Sequence, residues 1–206
     1  MQPVLETRAR DGFDLWPVAV TEPTGFLPLG GGLPPGEVGT AVMCIAGWNA
    51  GEPDDGPDDP LGAFLHGLLT AELPYAAGGL RVVDESTGIT FRPGCCDGLE
   101  DWRDWHRLVD GGGGGLLGYG HEPESALAER LGDVVRLTVD AERGDSPVIE
   151  LPVTELRRLL AGAERELVDF VALAADWAAR HLPPGHRAPV VGALARVLDL
   201  SAPPKR

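Results

Sequence analysis

The sequence predicts an α+β fold, antiparallel β-hairpins forming a sheet that packs against C-terminal helices. Two observations predict the hairpins: β-rich pieces flank Asp84-Glu85-Ser86-Thr87-Gly88, and a second pair flanks Gly144-Asp145-Ser146-Pro147. A third predicts the helices, a run of apolar residues stepping by four and three over about 26 residues near the C-terminus. The regular strand–helix alternation with long crossovers that a doubly wound fold needs is missing. A chain of 206 residues, 43% hydrophobic, suits a single domain over 1–206. Within it, 1–60 reads as a loop-rich part dense in glycine and proline, and 152–200 as a helical part.

Each element follows from local chemistry. Residues 1–40 alternate short apolar pieces with proline and glycine, so short edge strands and turns are expected there and helices are not. Thr40–Trp48 is apolar at nearly every position and reads as a strand buried on both faces. Asn49–Pro60 is an acidic loop. Leu61–Leu73 follows as a short helix with Phe64, Leu65, Leu68 and Leu69 on one face, ended by Pro74. Arg81–Val83 and Ile89–Phe91 make the first hairpin. Asp97 and Glu100 have the spacing of a capping box, which opens a helix over Leu99–Val109 that Gly111–Gly115 stops.

Glu122–Gly132 carries proline near its start and glycine at its end, predicting another short helix. Val134–Val139 and Val148–Leu151 make the second hairpin. Leu156, Leu160, Ala163, Leu167, Phe170, Ala174, Trp177 and His181 then form the long helical seam, with Gly162 a candidate break into two helices. Pro183-Pro184-Gly185 ends it. Val190, Val191, Leu194, Val197 and Leu198 mark a last amphipathic helix.

Charge narrows the function. With 32 Asp and Glu against 17 Lys and Arg, a net charge of -15 repels nucleic acid and anionic membranes and favours a basic protein partner. Plain solubility also accounts for such acidity. The single lysine, single asparagine and three isoleucines fit GC-rich codon usage, so the preference for arginine is not read as functional. No apolar run approaches the roughly 18 residues that span a bilayer. Met1–Glu6 lacks the basic and apolar regions of a signal peptide, and three cysteines make no disulfide framework, so a cytoplasmic setting is expected.

The densest chemistry lies in Gly94–His106, where Cys95 and Cys96 adjoin Trp102, Trp105 and His106. With His121, the two thiols and His106 offer a two-Cys, two-His set. Zinc sites, however, space paired cysteines by two to four residues so that both sulfurs reach one centre. Burial as core packing residues is the reading preferred for the pair, and Cys96 near a helix start as a reactive thiol with a histidine partner is the alternative. No cofactor is expected. Trp102 and Trp105 share a helical face: exposed they would anchor a partner, buried they are core. Gly111–Gly115 has no lysine to make a phosphate loop, and His121-Glu122 lies in a glycine-permissive turn. Asp54, Asp55, Asp58 and Asp59 lack an EF-hand's glycine and terminal glutamate, and read as a solvated acidic loop or as a patch that meets basic side chains. His181 and His186 flank Pro183-Pro184 as helix-end residues.

The run Phe91–Trp105, with its Pro-Gly-Cys-Cys-x-Gly-Leu-Glu-x-Trp motif, followed by Gly118–Pro123 and the strand Gly132–Leu137, resembles a group of uncharacterised acidic proteins from GC-rich bacteria. In size and charge the chain is similar to immunity proteins that neutralise polymorphic toxins. The resemblance covers about residues 80–175 and brings no catalytic residue with it. The expectation is therefore a cytoplasmic acidic binding protein, an immunity-type inhibitor of a basic toxin domain or a similar partner. The alternative is an enzyme or metal protein built on Cys95, Cys96, His106 and His121.

Overall fold

The computed structural model describes residues 1–22, 24–50, 57–94, 97–111, 115–119 and 125–200. Their elements run, in chain order, β1 (Gln2–Arg8), β2 (Thr24–Pro28), α1 (Pro35–Trp48), α2 (Pro60–Thr70), β3 (Gly78–Val83), β4 (Thr90–Phe91), a short 3-10 turn (Leu99–Asp101), α3 (Asp104–Asp110), β5 (Leu116–Tyr119), β6 (Ala126–Leu131), β7 (Val134–Thr138), β8 (Val148–Pro152), α4 (Val153–His181) and α5 (Pro184–Val197). The fold is α+β. Two four-stranded sheets, ordered β2-β1-β3-β4 and β5-β6-β7-β8, are antiparallel throughout, and the C-terminal helices pack against them. No helix among the described residues is long and apolar enough to cross a membrane.

Both expected hairpins form. In the first, Val82 pairs with Phe91 and Val83 with Thr90. The Asp84 carboxylate accepts hydrogen bonds from Ser86 and Thr87, which tie the loop and hold its carboxyl below the usual range. In the second, Val135 faces Leu151 and Leu137 faces Ile149, all four buried on the same side.

The helical seam runs as one helix through Gly162, burying Leu156, Leu160, Ala163, Leu167, Phe170, Ala174 and Trp177. Its apolar stripe is continuous enough to carry one glycine. Trp16 meets Trp177 edge-on at 5.4 Å, which joins the N-terminal loops to this helix. α5 then buries Val190, Leu194 and Val197. One buried cluster runs through both sheets and all five helices.

Four segments differ from what the sequence predicts. Thr40–Trp48 belongs to α1, and every residue from Val38 to Ala46 is buried. A continuous apolar run fits a buried helix as well as a buried strand; Pro35 at the first helical position and Glu37 in the first turn favour the helix. β1 is central rather than an edge, paired on both sides despite Pro3. Glu122–Gly132 is no helix over its described part, because β6 pairs with β5 and β7. Gly132, at φ 66°, opens the two-residue turn into β7 instead of capping a helix. Leu99–Val109 is a 3-10 turn followed by α3, and Gly98 rather than Asp97 holds the cap position.

Candidate functional site

Residues 75–79 and 97–100 run side by side, and this pairing builds the site. Leu99 N–H donates to Ala76 O at 2.8 Å, Gly78 N–H to Asp97 O at 3.0 Å, and Tyr75 Oη to the same carbonyl at 3.0 Å. Glu100 leans back, and its carboxylate accepts the Ala76 N–H at 3.0 Å. A Cβ on Gly98 would strike that carboxylate, so glycine here leaves the room in which Glu100 leans. Gly78 and Gly79 lie at φ 144° and 159°, where a Cβ would strike Val4 O and Pro93.

Against this frame the Trp102-Arg103-Asp104-Trp105 segment is fixed from below. Trp102 Nε1 donates to Leu198 O at 2.9 Å. Arg103 stacks on the Trp102 ring at 4.3 Å, donates to Asp199 O and pairs with the Asp199 carboxylate at 2.8 Å. Trp105 meets Phe91 edge-on at 6.0 Å. Trp102 and Trp105 are therefore not exposed anchors: they are 1% and 2% exposed and belong to the core. What reaches the surface is a cavity of about 120 Å³ that they floor together with Phe91 and Leu117.

Carboxylates rim it. Asp97, Asp101 and Asp104 line the same cavity. The Asp97 side chain accepts the Gly94 N–H. Asp104 pairs with Arg107 at 2.6 Å. Asp101 has no ion pair among the described residues, and partial desolvation, then the Asp104 charge, push its carboxyl above the usual range. A cation entering here would meet at the rim a carboxylate whose charge is disfavoured by partial burial and by the neighbouring Asp104.

No family model, curated protein or solved structure matches the chain.

Of the other sequence-predicted residues, Asp54, Asp55, Cys95, Cys96 and His121 lie outside the described residues. His106 packs edge-on against Trp102 at 5.6 Å. No group of three or more His, Cys, Asp or Glu side chains that could hold a metal gathers among the described residues. Asp58 is exposed, whereas Asp59 has a structural role, since its carboxylate caps α2 by accepting the Gly62 N–H at 2.7 Å.

A second acidic feature is one that motif reading of the sequence does not single out. Glu166, Asp169 and Asp176 line an open groove between α4 and the Gly31-Gly32 turn, and none has an ion pair among the described residues. Their signal in the sequence is helical spacing outside the apolar seam, with Glu166 flanking it and Asp169 and Asp176 on the polar side.

Proposed function

We propose that this chain is an acidic binding protein that captures a basic protein partner, in the manner of an immunity protein covering a toxin's cationic surface. The observation that carries the reading is the tryptophan-floored cavity rimmed by Asp97, Asp101 and Asp104. Its volume of about 120 Å³ compares with the roughly 150 Å³ that holds a benzene molecule, so it suits one guanidinium or ammonium head. The rim carboxylates pair with such a cation. The -15 net charge steers a basic surface toward the site from a distance, and the α4 groove adds a second acidic face.

The test is kinetic. Asp101→Asn combined with Asp104→Asn should slow association with a co-purified basic partner and flatten its salt dependence, because screening acts within about 8 Å at physiological ionic strength. Equal on-rates for wild type and the double variant would remove the cavity from the interface, and an acidic partner would overturn the electrostatic argument.

A further inference from the structure

Against so acidic a background, one pocket is lined by two arginines and, among the described residues, by no carboxylate. At the end of β1 and the last turns of α1, Arg8 and Arg10 face Met43, Cys44, Gly47 and Trp48 across a cavity of about 260 Å³. It shares no lining residue with the tryptophan-floored cavity. Each guanidinium lies over an aromatic ring, with Arg8 Cζ at 3.8 Å from the Trp48 centroid and Arg10 Cζ at 4.6 Å from that of Phe64. Such a contact leaves the in-plane N–H fork for an acceptor.

The chain supplies little to fill that fork. Among the described residues Arg10 has no carboxylate within ion-pair distance, and Arg8 has only Glu6 at 3.7 Å. Trp48 lines the cavity with its ring, while its indole N–H is shut off from water and has no acceptor among the described residues, so that N–H reports on the packing beside the pocket. The floor is apolar. Met43 and Cys44 are buried, and the Cys44 thiol donates to the Arg8 carbonyl at 3.9 Å, so it serves as wall and not as nucleophile. Burial pushes its pKa up, in keeping with that role.

We infer that this pocket binds a small organic anion, with its carboxylate or phosphate oxygens on the guanidinium edges of Arg8 and Arg10 and its apolar stem against Met43 and Trp48. Two guanidinium forks lining one cavity suit bidentate recognition of such an oxyanion. The cavity lies slightly below the roughly 300–1,000 Å³ of drug-sized sites, which sets the scale of the ligand at a single ring or a short chain.

The experiment titrates the ¹⁵N-labelled full chain, at low ionic strength, with phenyl phosphate, benzoate and inorganic phosphate in separate arms. The readout is the indole N–H resonance of Trp48, assigned by its loss in Trp48→Phe. A saturable shift with phenyl phosphate or benzoate is expected, and whichever of the two binds tighter identifies the head group. Arg10→Gln should weaken it about tenfold or more, the size of a lost charge-assisted contact. Arg10→Lys, which keeps the charge and loses the fork, should fall in between. Arg10 is exposed, so both variants should melt with the wild type, and that measurement separates lost binding from lost folding. Absence of a saturable shift with either organic anion, or an equal shift in Arg10→Gln, would overturn the site. Inorganic phosphate saturating as tightly as phenyl phosphate would overturn the organic stem.

Discussion

At Glu100 burial and local hydrogen bonding pull against each other. Burial pushes its carboxyl above the usual range, while the Ala76 N–H it accepts opposes the shift. A carboxylate whose folded pKa is raised binds its proton more tightly in the folded state than in the unfolded one. Its contribution is therefore favourable below the ordinary glutamate range and is lost as pH rises through the raised value. Glu100→Gln keeps an oxygen for Ala76 and removes the titration. In denaturant melts from acid to neutral pH, the wild type should lose stability relative to this variant across that window. Parallel pH profiles would show that the carboxylate is solvated after all. The neighbouring tryptophans show what the sequence discloses at this scale. Their chemistry is legible and their placement is not, because the cavity they floor is closed by Phe91 from β4 and Leu117 from β5.

Elements with a strict period are readable, and elements without one are not. The α4 seam is legible residue by residue because leucines, alanines and aromatics at spacings of three and four allow only a helix. Leu167 is fully buried in it, so Leu167→Ala should cost about 2–5 kcal/mol, the range for truncating a core leucine. An unchanged urea midpoint would place the seam on the wrong face. α1 is illegible for the converse reason: with Val38 to Ala46 all buried there is no polar face to reveal the turn length. In Glu122–Gly132, proline and glycine look like helix punctuation, while Gly132 serves a hairpin. The same residue types punctuate both structures, and only pairing with β5 and β7 decides between them.

At the scale of the molecule, acidity carries a cost. A net charge of -15 makes the folded state repel itself, and the ion pairs among the described residues lie at the surface, where each contributes little. Monovalent salt should therefore raise the melting midpoint between low and physiological ionic strength, as screening relieves the repulsion faster than it weakens those pairs. A midpoint that falls with salt would mean that the pairs outweigh the repulsion. The architecture itself is legible as hairpins plus C-terminal helices. That the strands divide into two sheets is not, since β1 joins β3 across a long stretch of intervening chain whose pairing no local pattern records.

The bond from Trp102 to the Leu198 carbonyl, and the grip of Arg103 on Asp199, span 96 positions of chain. During synthesis the floor beneath the cavity stays unfinished until translation has passed Asp199. Earlier nascent chains expose the Trp102 ring to the chaperones and proteases that patrol hydrophobic surface. Completion of this floor is thereby postponed until nearly the whole described chain has emerged, a timing set by topology.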